Sequence, residues 1–178
     1  MQVFVLCTGR CGSMTFIHAC QHMTNFTAGH ESRWGLLFGA RLCYPQNHIE
    51  SDNRLSWCLG GLNEKFGEQA YYVHLLRDRE ATARSFARRI GGGPGSIVRG
   101  YQRSIVRCRD EDPLEVCRDY VDTVTQNISM FLADKPHVLT VRLEQARRDF
   151  RRFWRWIDAS GDLDAAMAEW DTRYNASV

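Results

Sequence analysis

A three-layer α/β domain, with a central parallel sheet flanked by helices, is the fold this chain predicts, on three observations. Three short and almost continuously apolar runs, "QVFVLC" at 2–7, "YYVHLL" at 71–76 and "HVLTVRL" at 137–143, read as strands buried on both faces. Each is followed by a stretch whose apolar residues recur at helical spacing. Strand and helix periods that alternate along a chain are the pattern of parallel strands joined through helices.

The first run passes through Gly9 into a helix read over 13–23, and a second helical segment covers 53–66. After the second strand come a helix over 80–89, a glycine-rich break "GGGPG" at 91–95 and a long helix over 113–133 that opens on Pro113. A last helix begins near Glu144, after the third strand. Its "RRDFRRFWRW" interleaves arginine with aromatic residues, as single-strand nucleic-acid binders do. However, Ala146, Phe150, Phe153, Trp154 and Ile157 fall on one helical face, so the aromatics are expected to pack inward beneath a solvated arginine face. No internal repeat or low-complexity tract interrupts the pattern.

The chain has 178 residues, 44% hydrophobic and 25% charged, enough for one well-buried domain spanning 1–178. Its 23 Lys and Arg against 21 Asp and Glu leave only +2, which excludes a global basic field for nucleic acid. Anion selectivity must then be local. All the basic residues except Lys65 and Lys135 are arginines, whose planar fork suits phosphate and sulfate. The seven cysteines are odd in number and scattered, with no C-x-x-C pair; they point to free thiols in a reducing, cytoplasmic setting rather than to a disulfide scaffold or a zinc site. The apolar start "VFVLC" is too short for a signal-peptide core, and no run approaches membrane-spanning length. The glycosylation-like triplets at Asn25, Asn127 and Asn175 therefore read as chance.

The junction "LCTGRCGSMTF", 6–16, carries the first functional signal. A strand that ends in Gly9, Arg10, Cys11, Gly12 and Ser13 at the mouth of a helix lets an anion approach the backbone closely at the positive helix end. Arg10 and Ser13 add side-chain donors. An ordinary strand-to-helix turn would use the same glycines. The Gly-Lys-Ser/Thr ending of nucleoside triphosphatases is missing, as is a clear acidic strand end for magnesium, which disfavours a magnesium-triphosphate enzyme. A second signal follows the second strand: "RDREATARS" puts Arg77 at the strand end and Ser85 eight residues on, placed to clamp a further phosphate.

Together, "TGRCGS" after the first strand and "LLRDREATARSF" after a later one resemble the PAPS-dependent sulfotransferases, a family with a P-loop-like fold. The resemblance implies that 3′-phosphoadenosine 5′-phosphosulfate (PAPS) is the sulfuryl donor and that no metal is needed. Its 5′-phosphosulfate would lie on Gly9, Arg10, Cys11, Gly12, Ser13, Met14 and Thr15, with Arg10 near the bridging oxygen. The 3′-phosphate would lie on Arg77 and Ser85. The family commonly has a second hydroxyl residue directly after the first, whereas here Met14 intervenes before Thr15. "VRLEQARRDFRRFWRWI" and the terminal "RYNAS" resemble the family's late strand and helix and its last segment, while 33–69 matches no known part of it.

Sulfuryl transfer calls for a base on the acceptor hydroxyl, and "AGHESR" at 28–33 offers His30 and Glu31 side by side. Glu31 is the first candidate, as a carboxylate beside a positive loop that acts as a positioned acceptor, and His30 is the second; a merely polar loop would read the same way. The partner is a hydroxyl-bearing acceptor, a carbohydrate or small metabolite among the candidates together with lipid and peptide, because acceptor pockets are built from loops. Two other classes fit the same residues. One is a noncatalytic module that binds PAPS or another phosphorylated nucleotide, and the other is a small magnesium-dependent kinase of the same fold. His18 and His22 have metal-ligand spacing, but no third ligand accompanies them. The glycines around Pro94 form a loop or a lid.

Overall fold

The computed structural model describes residues 1–90, 96–172 and 174, with Phe38 described by its backbone alone. The glycine-rich break at 91–95 and most of "RYNAS" lie outside the described residues. The strands are β1 (Gln2–Leu6), β2 (Thr27–His30), β3 (His48–Ser51), β4 (Tyr71–Leu76) and β5 (Val138–Arg142). The helices are α1 (Ser13–Cys20), α2 (Phe38–Arg41), α3 (Leu59–Phe66), α4 (Arg79–Ala87), α5 (Ile97–Gly100), α6 (Pro113–Leu132), α7 (Ala146–Trp156) and α8 (Leu163–Ala168). A 3-10 turn at Asn53–Trp57 precedes α3, and a π-helical turn at Tyr101–Val106 follows α5.

The five strands form one sheet in the order β2-β3-β1-β4-β5, parallel throughout. Its two faces are apolar because successive side chains of a strand point to opposite sides. Val3 and Val5 of β1 join Val73, Leu75, Leu139 and Val141 beneath α1, α7 and α8, with Phe16, Phe150 and Phe153 filling that layer. Phe4 and Leu6 join Tyr72 beneath α3, α4 and α6, against Leu62, Phe86, Tyr120 and Val124. Parallel strands covered on both faces account for the continuous apolar runs that mark β1, β4 and β5 in the sequence.

α1 ends at Cys20, three residues short of the span read from the sequence, and the segment read as one helix over 53–66 is split into a 3-10 turn and α3. Two strands escaped the sequence reading. β2, "TAGH", and β3, "HIES", are four residues each and largely polar, so neither shows an apolar run. α7 buries Ala146, Phe150, Phe153 and Trp154, with Ile157 just beyond it, and exposes its arginines, as its periodicity requires. The seven cysteines are free. Among the described residues no helix is long and apolar enough to cross a membrane.

The order of the strands positions a cleft. From β1 the chain leaves through α1 toward β2 and β3, whereas from β4 it leaves through α4 and α6 toward β5 on the other side. The loops after β1 and β4 thus diverge above adjacent strands, which is where open α/β sheets bind ligands.

His74 of β4 is buried on the Tyr72 face, and burial first, then the charge of Arg142, pushes its pKa down to about 4. The folded state therefore holds it neutral. Its contribution to stability is complete above the ordinary histidine value near pH ~6.5 and is lost as pH falls toward about 4. Between pH 7 and 4, urea denaturation should show the native protein losing on the order of 3 kcal/mol more than folded His74→Gln; parallel pH profiles would contradict it.

Candidate functional site

The loop between β1 and α1 turns on three residues in left-handed conformation, Gly9 at φ 87°, Arg10 at φ 59° and Gly12 at φ 90°. The glycines tolerate this and also leave no room for a side chain: a Cβ on Gly9 would lie 2.8 Å from Asn53 Nδ2, and one on Gly12 would lie 2.7 Å from Leu143 Cδ1. Arg10 holds the same region as a non-glycine residue, a strain that persists only where surroundings enforce it. The enforcement is visible. Tyr120 of α6 donates its hydroxyl to the Thr8 carbonyl at 2.9 Å, and Ser56 donates to the Cys7 carbonyl at 3.2 Å.

Ser85 lies on the buried face of α4, whose N-terminus is capped by Asp78 through the Ala81 amide at 2.8 Å. Arg10 Nε donates to Ser85 Oγ at 3.1 Å, and Arg77 Nη1 donates to the Arg10 carbonyl at 3.0 Å. The two sequence signals, 67 residues apart between Arg10 and Arg77, thus meet in one cleft of about 520 Å³. Gly9, Gly12, Ser13, Met14 and Thr15 line it together with Arg10, Arg77 and Ser85. Cys11 does not. Its thiol is 1% exposed and turned inward, where a bond from Cys7 first, and the amides of Gly9, Cys11 and Ser13 after it, hold it below the ordinary thiol value. That same bond, together with burial, raises Cys7.

Burial first, then the nearby charges of Arg89, Arg77 and Arg88, lower the Arg10 pKa. Several guanidinium groups so close repel one another, and an anion among them relieves that repulsion.

His30 and Glu31 line the same cleft at the end of β2. His30 Nε2 is 3.1 Å from Ser13 Oγ, which joins β2 to the first turn of α1. Burial first holds His30 below its ordinary value, against the raising pull of Glu31, Asp52 and Glu50. Glu31, at φ 50°, bonds its carboxylate to Arg54 Nη1 at 2.7 Å, and its amide to the Ser51 carbonyl at 3.0 Å. Below this turn, the fully buried carboxylate of Glu50 accepts from the Ser32 amide at 2.7 Å, from the Ser32 hydroxyl at 2.6 Å and from His48 Nε2 at 3.0 Å. Burial works to raise the Glu50 pKa, but these bonds outweigh it and the group sits below its ordinary value.

Residues of the segment that matched nothing in the sequence thus shape the site. Glu50 pins the turn that carries Glu31, Arg54 orients its carboxylate, and Asn53 lines the cleft with a buried Oδ1 that has no hydrogen-bond partner among the described residues. Only the N-cap pattern of Asp52, whose carboxylate accepts from the Arg54 amide at 2.8 Å, was open to detection in the sequence. Thr172 and Tyr174 bring the chain's last described residues to the cleft. His18 and His22 do not converge on an ion: His18 stacks on Tyr174 and His22 pairs with Glu169 at 2.9 Å. Among the described residues no group of three or more His, Cys, Asp or Glu is gathered to hold a metal.

No protein-family model matches the chain, and no curated protein matches it in sequence. Among solved structures it is similar to a sulfotransferase domain from the curacin biosynthetic pathway, with a TM-score of 0.65 at 13% identity over 92% of this chain and 75% of that one. The likeness establishes the fold as the P-loop-like α/β architecture of sulfotransferases.

Gly9→Ala tests the loop. Left-handed strain and the contacts with Asn53 and with Phe86 Cζ, 3.3 Å from the added carbon, should destabilise the protein by more than about 1 kcal/mol in thermal or urea melts, whereas Gly35→Ala, whose added carbon meets nothing, carries the conformational strain alone and should lose less.

Proposed function

We propose that the chain transfers a sulfuryl group from PAPS to an acceptor hydroxyl. One observation carries this reading: Arg10 of the loop after β1 and Ser85 of α4, each from a separate anion-holding segment, are bonded to one another in a single arginine-lined cleft. A donor with a 5′-phosphosulfate and a 3′-phosphate needs two such anion sites in one pocket. The likeness of the fold to a sulfotransferase domain supports the same reading.

The residues present fit the donor. The two left-handed glycines keep the floor of the loop bare, so that phosphate oxygens can approach the backbone at the start of α1. Arg10, Ser13 and Thr15 would hold the 5′ group, and Arg77 and Ser85 the 3′-phosphate, with Arg88 adding positive charge. The unpartnered Oδ1 of Asn53 would accept from a nucleoside hydroxyl or amine.

In the reaction the acceptor oxygen forms a bond to sulfur while the bond from sulfur to the bridging phosphate oxygen breaks, and the electron pair leaves with the phosphate. Arg10 and the loop amides stabilise the charge that develops there. The hydroxyl proton passes to Glu31 or His30. Glu31 is oriented by Arg54, and His30, kept neutral at pH 7 by burial, has a ring nitrogen free to accept in one tautomer.

PAP, the desulfated product, should stabilise the protein by about 2.7 kcal/mol at a hundredfold excess over its dissociation constant, with no metal added. Arg77→Ala should weaken PAP by about 1.5 to 3 kcal/mol, much more than it weakens the analogue without the 3′-phosphate, whose loss comes only from the missing bond to the Arg10 carbonyl. Stabilisation only by ATP with magnesium would support a kinase instead, and PAP binding without transfer to any hydroxyl compound would support a binding module.

Glu31→Gln should keep PAP binding and reduce turnover roughly a hundredfold or more, in the range of a lost general base. His30→Asn, run in parallel, assigns the proton to His30 if it alone shows the loss. Near-normal turnover in both folded variants would remove this segment from the chemistry.

A further inference from the structure

A second cavity, of about 390 Å³, adjoins the cleft on the far side of the Glu31–Arg54 ion pair: Glu31 lines the first, and Arg54 and Asp52 line the second. An acceptor seated there would lie beside the ion pair that orients Glu31, a candidate base for its hydroxyl. Its size lies within the range of small-molecule sites.

The walls are of two kinds, and they differ in what they leave for a ligand. The polar side chains are engaged with the protein itself. Asp52 accepts from the Arg54 amide, Arg41 donates to the Leu36 carbonyl and to Cys58 Sγ, both at 3.0 Å, and Arg33 Nη1 donates to the Ala40 carbonyl at 3.3 Å. Three of the apolar side chains are open. Trp34 is 69% exposed, Ile105 53% and Trp57 39%, with Trp57 6.2 Å from Tyr101 ring to ring. Of the large hydrophobic side chains exposed among the described residues, only Met130 is neither in this cavity nor within three residues of its wall in sequence. Apolar surface concentrated in one place marks a binding site rather than ordinary scatter.

Resting on the sulfuryl-transfer reading, we propose that the acceptor is an alcohol on a flat, apolar ring body, an aryl or fused-ring alcohol, rather than a sugar. The two exposed indoles, Trp34 and Trp57, offer flat surface on which a planar ring can stack, with buried Tyr101 behind Trp57. A sugar would need several donors and acceptors spread around its ring, whereas the lining here is mainly apolar and its arginines are already tied in part to the walls. Sulfur forms its new bond to the ring alcohol's oxygen, PAP leaves with the electron pair of the broken bond, and the proton goes to Glu31 or His30.

The test uses the full chain with radiolabelled PAPS and three acceptors at equal concentration, 2-naphthol, 1-decanol and methyl glucoside. The expected result is sulfation of 2-naphthol at least about tenfold faster than of the other two, and a KM for 2-naphthol raised roughly tenfold by Trp34→Ala and by Trp57→Ala, the range for a lost aromatic contact. The melting shift given by PAP should be the same in both variants as in the native chain. Preference for methyl glucoside or for 1-decanol overturns the proposal, as does an unchanged KM in both variants. The two readings fail separately. A PAP shift with transfer to methyl glucoside or 1-decanol but none to 2-naphthol overturns the acceptor assignment alone, whereas a missing PAP shift, or a shift with transfer to none of the three, overturns the sulfuryl-transfer reading and the acceptor assignment with it.

Discussion

The left-handed turn at the end of β1 is the constraint on which the site depends. A loop with Gly9, Arg10 and Gly12 all at positive φ would relax if nothing held it, and what holds it comes from far along the chain. Tyr120 of α6 and Ser56 of the 3-10 turn bond the two carbonyls that precede the turn, and Arg77 bonds the carbonyl of Arg10 within it. Because Arg10 then reaches Ser85, the same backbone conformation that bares the loop also ties it to the segment after β4. The geometry of the turn is thus a property of the packed sheet and its helices, and not of the loop alone.

Electrostatics sets a second condition. Arg10 is half buried among other arginines, an arrangement that disfavours its charge and favours an anion in the cleft. On the opposite wall the order is reversed. Three hydrogen bonds satisfy the buried carboxylate of Glu50, and Glu31 above it is matched to Arg54. A buried carboxylate with its lone pairs occupied makes a rigid floor, since loss of any one donor leaves unmatched charge in the interior. The Glu31 turn, itself at positive φ, rests on that floor. The cleft therefore has a cationic wall and a wall that carries His30 and the oriented Glu31 carboxylate, joined where Ser13 meets His30.

Legibility in the sequence followed the range of the forces involved. β1, β4 and β5 were visible because burial on both faces leaves an unbroken apolar run, and the inward face of α7 was visible because 3.6-residue spacing is local. β2 and β3 were not: at four residues, with His30, His48, Glu50 and Ser51 among them, they carry a polar network in place of an apolar pattern. Cys11 shows a related limit. Its place in the loop was readable, but the direction of its side chain, inward against Cys7 and away from the cleft, depends on how the turn is twisted.

By itself the sequence determined the alternation of strand and helix, the glycine turn at the mouth of α1 and the arginines and hydroxyls of the segments after β1 and β4. Each of these is encoded by residues within a few positions of one another, where period and backbone freedom act. Only the tertiary structure decided that the segments after β1 and β4 share one cleft, that Arg54 and Glu50 orient and pin the Glu31 turn, and that exposed tryptophans line a cavity beside it. The bonded partners lie from 18 to 75 residues apart, as for Ser32 with Glu50 and Arg10 with Ser85. Only the strand order, with β1 and β4 adjacent and their exits diverging, brings such partners within hydrogen-bonding distance.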